Sequence, residues 1–268
     1  MSTIFITGSS SGIGKATAKL FAEKGWTVIA TMRTPEKETE LTKYDNVKLY
    51  QLDITKKEQV EKTITEVLNQ YDVDVLFNNV GSGMKARFED VDEETMWESI
   101  DTNLMGMIRV TQKFVPYFKK KKEGIIMTTT SLGGEIGFPL DSVYSLDKWG
   151  LTGLCEMLYF ELAPHNIQVK TLVPGIVRTN FQIKKYPLVE EEYEQIAKRQ
   201  YDLVVPVEEE AEQPEEAALD VYNAITDGDK DRMAYITGKV SKELCELRQK
   251  LGHEEFRKFF KNKVIFNK

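Results

Sequence analysis

Cysteine and histidine are scarce: the 268 residues contain two of each. Cys155 and Cys245 cannot build a disulfide framework, so a reducing compartment, the cytoplasm, is expected. His165 and His253 have no partner at metal or triad spacing, and no metal is expected. No apolar run reaches the ~18 residues of a membrane span, and no charged stretch precedes the opening IFITG. Neither a membrane association nor a secretory leader is therefore expected. Internal repeats and low-complexity tracts are also missing, which excludes solenoids and disordered arrays. The net charge of −7 is not spread along the chain, because residues 190–216 hold eleven acidic side chains against Lys198 and Arg199. The remainder is near neutral, with an excess of Lys and Arg after Lys230 that reads as a solvated face. No nucleic-acid module accompanies it, so no nucleic-acid partner is expected.

What the chain does have is alternation. Residues 4–7, 27–32, 47–53, 73–78, 125–130 and 167–173 are short β-rich apolar runs of the kind buried on both faces of a sheet. Between them, 13–24, 56–70, roughly 93–119 and 142–163 carry apolar residues at three- and four-residue spacing. This order predicts an α/β fold: a single-domain, Rossmann-type, doubly wound parallel sheet with helices on both faces. Pro174-Gly175 ends the sixth run, and 179–213 follows as a poorly periodic excursion. A helix near Pro214 and a strand at 234–237 resume the pattern. Residues 1–240 are thus expected to form the domain and 241–268 a helical extension of it. Within that extension Ser241 is expected to cap one helix and Gly252 to separate it from another.

Thr7–Gly14 reads TGSSSGIG, directly after the first strand and directly opening a helix. In that context glycines suit a dinucleotide site. Gly8 permits the tight turn, Gly12 lets the backbone approach a pyrophosphate, and Gly14 permits close helix packing, with the helix N-terminus facing the phosphates. The spacing departs from the generic G-x-G-x-x-G fingerprint. At the end of the second strand, where an NAD site places a carboxylate for the ribose 2′-OH, this chain has Met32 and then Arg33. A guanidinium can hold a 2′-phosphate bidentately, so NADP(H) is expected in preference to NAD(H).

Tyr144 and Lys148 lie one helical turn apart, where an ammonium is expected to lower the phenol pKa toward a usable general acid/base. Alone the spacing is weak, since Tyr44/Lys48, Tyr117/Lys121 and Tyr235/Lys239 share it. Only Tyr144 has a serine thirteen residues upstream, Ser131, at the end of the fifth strand; the other three have Thr31, Leu104 and Tyr222.

With Asp53, Asn78-Asn79-Val80-Gly81, Asn103 and Pro174-Gly175-Ile176-Val177-Arg178-Thr179 falling in order between and after these elements, the chain resembles the classical short-chain dehydrogenases/reductases over about residues 3–240. The resemblance implies an NADP-dependent alcohol dehydrogenase or carbonyl reductase acting on a small-molecule carbonyl or alcohol. It implies that Tyr144 exchanges the substrate proton, Ser131 holds the substrate oxygen, Lys148 holds the nicotinamide ribose, and Asn103 supports a proton relay. Cofactor contact is implied for Gly8, Ser10, Ser11, Gly12, Ile13, Gly14, Arg33, Asp53, Asn79, Gly81, Tyr144, Lys148, Pro174, Val177 and Thr179, and substrate contact for Ser131 and Tyr144. A non-catalytic NADP(H)-binding regulatory or redox-sensing protein on the same fold is the alternative, and it would most plainly have lost Tyr144, Lys148 or Ser131.

Val80 replaces the usual alanine, and Ser11 stands where some NADP-preferring relatives have a basic residue. Asp147 beside Lys148 is expected to point outward, because adjacent helix positions do not face each other. Met96, Ile100, Leu104 and Ile108 form a stripe that is either core or a homo-oligomer contact through the two long central helices. Cys155 is expected to pack. The substrate lid is expected in 179–213, its glutamates forming a solvated outer face, with further walls from 82–97 and 133–143, including Phe138 and Phe181. That lining suits a lipophilic carbonyl or equally a small aldehyde.

Overall fold

The apolar runs become strands of one parallel sheet. A computed structural model describes residues 2–205 and 211–267. The sheet joins β1 (Thr3–Thr7), β2 (Thr27–Met32), β3 (Val47–Gln51), β4 (Val75–Asn78), β6 (Gly124–Thr129), β7 (Ile167–Val173) and β9 (Ala234–Ile236) in the order β3-β2-β1-β4-β6-β7-β9. Every pairing is parallel, so each crossover must carry chain over a face of the sheet. On one face lie α2 (Lys57–Gln70), α4 (Gly106–Lys121) and α5 (Ser142–Leu162), packed around Phe5, Leu76, Phe114 and Phe118. On the other lie α1 (Gly12–Glu23) and α7 (Pro214–Thr226), packed on Ile4, Phe21, Phe77 and Val221. Each such fully buried side chain contributes roughly 1.5–3 kcal/mol. The strand order reverses direction between β1 and β4, and open sheets of this kind bind ligands at the carboxyl ends there.

Four features depart from the sequence reading. The helix expected over 93–119 is α3 (Glu93–Ile100) and α4 joined by a π-turn at Asp101–Met105 that contains Asn103; such turns recur at functional sites. The loop after β4 forms β5 (Gly83–Lys85), which pairs with β8 (Ile183–Lys185) and straps the start of the 179–213 excursion across the cleft. That excursion also contains α6 (Glu191–Val204), whose first turn carries Glu191, Glu192 and Glu194 and which buries only Ile196 and Gln200. Two buried positions give too little apolar period to see in sequence. Finally, Ser241 caps nothing: α8 (Lys239–Leu251) starts earlier, with Gly238 at its N-cap, and Ser241 is buried inside it. The chain reverses at Gly238 with φ +74, a left-handed value that glycine adopts cheaply.

Gly252 does separate α8 from α9 (His253–Val264). Leu244, Phe256 and Phe260 from these helices pack with Leu132, Ile136 and Ile196, so the C-terminal helices brace the cleft wall. Met96, Ile100, Leu104 and Ile108 are each half-buried. A separate stripe on α5 (Leu146, Trp149, Met157 and Phe160) stays exposed. No helix among the described residues is long and apolar enough to cross a membrane.

Candidate active site

One cleft of about 1040 Å³ runs along the carboxyl edge of the sheet, from Arg33 and Asp53 to Phe138 and Gln200. The turn between β1 and α1 forms its floor. Gly8 and Gly12 adopt φ +72 and +55, conformations that L side chains rarely enter. A Cβ on Gly14 would collide with the Gly8 carbonyl oxygen and the Asn79 side-chain amide. Asn79 is itself fixed by Thr7 Oγ1, which accepts its backbone N–H at 2.9 Å, and by Thr129 Oγ1, which donates to its Oδ1 at 3.2 Å. The first turn of α1 therefore approaches β4 across glycines alone, with its N–H groups toward the cleft. Arg33, exposed at the end of β2, lines the same cleft. These residues fit a dinucleotide: a backbone cradle that any side chain would fill, a helix N-terminus and a terminal cation.

The cleft collects Gly8, Ser10, Ser11, Gly12, Ile13, Arg33, Asp53, Asn79, Gly81, Ser131, Tyr144, Lys148, Pro174, Val177 and Thr179. Gly14 and Asn103 lie behind its wall. Ser131 follows β6 and its Oγ accepts the Gly133 N–H at 3.0 Å. Tyr144 lies beside Ser131, whose hydroxyl works to lower its pKa, and its ring meets Phe181 edge-on at 6.3 Å. Lys148 is 3% exposed and donates to the Thr129 carbonyl at 3.0 Å. The other Tyr-x3-Lys pairs are occupied elsewhere. Tyr44 donates to Glu23, Tyr117 and Lys121 share Asp72, and Tyr235 donates to Asp227.

The electrostatics differ from the sequence expectation. Desolvation raises the Tyr144 pKa to about 12, opposed by the neighbouring Ser131 hydroxyl and helped by the charges of Asp141 and Asp147. Burial lowers Lys148 to about 8. The expected lowering of the phenol by its neighbouring lysine does not prevail, because burial acts on both groups and always disfavours the charged form.

Asp147 also corrects the sequence reading. It points inward and is fully buried, and its Oδ2 accepts from Ser99 Oγ at 2.7 Å and Asn103 Nδ2 at 3.0 Å. The i,i+1 comparison with Lys148 misled. Asp147 stands three residues from Tyr144 and four from Val143, so it shares their inward side. Burial raises its pKa against those two hydrogen bonds. Asn103, held this way, clamps the loop after Gly81: its Oδ1 accepts the Ser82 N–H and its Nδ2 donates to the Ser82 carbonyl, both at 2.9 Å.

Residues 82–85, Gly133, Phe138, Asp141, Phe181 and Gln200 line the cleft, all within the expected wall and lid segments, whereas none of 86–97 does; which residues of those segments face the cleft had no signal in motif or spacing. Of the acidic stretch, Glu191, Glu192 and Glu194 are solvated, while Glu212 is buried and accepts from Thr237 Oγ1 at 2.5 Å. The stretch was read by its composition, which cannot single out one paired carboxylate; Glu208, Glu209 and Glu210 lie outside the described residues. Cys155 is buried, and desolvation lifts its thiol to about 11, as suits packing. Among the described residues no group of His, Cys, Asp and Glu is placed to hold a metal ion.

The short chain dehydrogenase family profile matches residues 2–188. The 3-oxoacyl-[acyl-carrier-protein] reductase FabG of Thermotoga maritima is 37% identical over 180 residues, 65% of this chain and 73% of that protein. Among solved structures, a short-chain dehydrogenase from Streptomyces avermitilis superposes with a TM-score of 0.87 at 26% identity, covering 97% of this chain and 96% of the other. An alcohol dehydrogenase from the archaeon Thermococcus sibiricus, complexed with 5-hydroxy-NADP, does so with a TM-score of 0.73 at 27% identity, covering 90% and 97%. The chain belongs to the classical short-chain dehydrogenase/reductase family. It is an oxidoreductase of that family, which binds nicotinamide cofactors.

Proposed function

We propose that the protein transfers hydride between NADP(H) and a carbonyl or secondary-alcohol substrate, with Tyr144 as general acid/base. The observation that carries this reading is the convergence of Ser131, Tyr144 and Lys148 on one cleft with the glycine turn, while three pairs of identical spacing lie elsewhere. When bound, the cofactor supplies or accepts the hydride. Ser10, Ser11, Gly12 and Ile13 hold the phosphates at the α1 N-terminus, and Asp53, Asn79 and Gly81 flank the riboses. Pro174, Val177 and Thr179 close the opposite side. Ser131 donates to the substrate oxygen and stabilises the charge that develops on it. Tyr144 delivers its proton to that same oxygen in reduction and removes one in oxidation. Lys148 places a positive charge beside the reacting atoms, and Asp147 fixes Asn103 and with it the Gly81–Ser82 backbone. Two buried free thiols suit a cytoplasmic location.

A panel of aldehydes and ketones with NADPH tests the reading. Substrate-dependent oxidation of NADPH is expected; tight NADPH binding with no turnover across the panel would instead mark a non-catalytic, cofactor-binding regulator. Cofactor choice rests on Arg33, the cation at the end of β2 in the absence of a carboxylate there. Arg33→Ala is expected to weaken NADPH binding by about tenfold to a hundredfold, the loss of one charge-assisted contact. NADH binding should move far less. Titration of both cofactors checks this, and an equal change for both rejects the assignment.

A further inference from the structure

Asp141 occupies the N-cap of α5, where a carboxylate ordinarily accepts the free N–H groups of the first turn. It makes no side-chain cap there. Its side chain instead accepts from Gln200 Nε2 of α6 at 3.2 Å, and both residues line the cleft. The backbone is bent to present it: Leu140, immediately before, sits at φ +67, a left-handed conformation that strains a non-glycine residue. The Leu140 carbonyl is pinned by the Ala86 N–H at 2.9 Å. Asp141 lies three residues before Tyr144, on the same side of the chain as the reacting phenol.

Gln200 is 2% exposed, and its Oε1 has no hydrogen-bond partner among the described residues. The Asp141 contact fixes which end of the amide donates, so the unpartnered atom is an acceptor. A buried acceptor left in this way is costly unless a ligand supplies the missing donor. The third member is Lys85 of β5, whose positive charge acts on Asp141. Its ammonium makes no ion pair or hydrogen bond with any described residue. Burial raises Asp141 to about 6, so at neutral pH it remains largely a carboxylate, with Lys85 lining the same cleft.

The ligand chemistry follows from the signs. Lys85 repels an ammonium, and Asp141 repels a carboxylate or phosphate. A neutral hydroxyl suits the set: its one proton goes to Gln200 Oε1, the acceptor left without a partner, and its oxygen can accept from Lys85. We propose that Asp141, Gln200 and Lys85 form a substrate-recognition subsite for a hydroxyl group carried on the arm of the substrate remote from its carbonyl. The preferred substrates are then hydroxyketones, or the corresponding diols in oxidation, rather than purely lipophilic ketones. This rests on the carbonyl-reductase reading above and adds the substrate class to it.

The test uses the full-length protein with NADPH and matched ketone pairs, each a hydroxyketone and its deoxy counterpart, with the hydroxyl moved stepwise along the chain. The readout is the ratio of kcat/KM within a pair. At one chain position the wild-type ratio is expected to favour the hydroxyketone by about tenfold or more, as expected of a site holding a buried unpaired acceptor. Asp141→Leu and Gln200→Leu should each bring that ratio toward one. The ratio is internal to each preparation, so partial loss of folded protein cancels from it. Turnover of both members at ratios near one in the wild type at every position overturns the subsite alone. So does a wild-type preference that survives both substitutions. Absence of turnover for every pair rejects the reductase reading, and the subsite with it.

Discussion

Tyr144→Phe is expected to reduce carbonyl turnover by about two to four orders of magnitude, the usual worth of a positioned acid/base. The substitution removes one hydroxyl and keeps the ring that meets Phe181, so the wall of the cleft survives. NADPH affinity should change far less than kcat. The pH dependence separates loss of proton transfer from loss of structure. Burial holds the phenol at about 12, so Tyr144 carries its proton across the whole neutral range and stands ready as an acid for reduction. Lys148, lowered to about 8 by burial, is charged below that value and neutral above it. Reduction is therefore expected to run level through neutrality and fall above pH ~8 as the ammonium is lost. Oxidation needs the phenolate and should keep rising toward alkaline pH. Lys148→Arg should move the descending limb of reduction upward, because a guanidinium stays charged. A wild-type reduction profile that stays level well above the lysine value would remove Lys148 from this role, and a Tyr144→Phe variant with near wild-type kcat would remove Tyr144.

What was legible in the sequence was whatever one local constraint decides. A strand buried on both faces reads as an unbroken apolar run, and six such runs, with the strand expected at 234–237, led to the observed parallel sheet. Gly14 was readable because its helix meets Gly8 and Asn79 with no room for a Cβ. Tyr144 and Lys148 were readable because one turn of one helix sets their separation, and Ser131 because a strand end and a short connection set the third point. Interactions between distant segments were not. β5 and β8 are three residues each, too short for period-two alternation to register, and each is a strand only because the other lies beside it. Asp141 and Gln200 are 59 residues apart and meet only when α6 folds over the cleft. The phenol pKa was misjudged for a related reason. The sequence displays the neighbouring charge but not the desolvation, and in the folded cleft desolvation is the larger effect.

Lys170 is another such case, and its replacement should have the largest effect on stability outside the cleft. It sits within β7, is 1% exposed, and is the one charged residue of that strand. Its ammonium donates to the Ala224 carbonyl at 2.6 Å, Asp227 Oδ1 at 2.9 Å and the Tyr235 hydroxyl at 3.1 Å, which uses all three of its protons. Tyr235 in turn donates to Asp227 Oδ2 at 2.5 Å. The cluster ties the end of α7 and the edge strand β9 to β7, the strand that leads into Pro174-Gly175 at the cleft. Lys170→Ala leaves the Asp227 carboxylate without its cation and opens a void beneath α7. Truncating the buried lysine stem and giving up its three hydrogen bonds costs about 3–5 kcal/mol. For a domain of this size the melting temperature should fall by roughly 6–20 °C. Lys170→Met should recover much of the loss, because it fills the volume and Asp227, at 26% side-chain exposure, can turn to water. Burial works against the Asp227 charge, but the hydrogen bonds from Tyr235 and Lys170 outweigh it and hold the carboxyl below its ordinary range. Its contribution is thus fully present above the unfolded value of ~3.9 and fades as pH drops through the lower folded value. The deficit of Lys170→Ala should accordingly be constant through neutral pH and shrink only in strong acid. Thermal melts across that range check both the size and the sign, and a drop of less than ~2 °C at neutral pH would show that the cluster is not what holds this edge of the sheet.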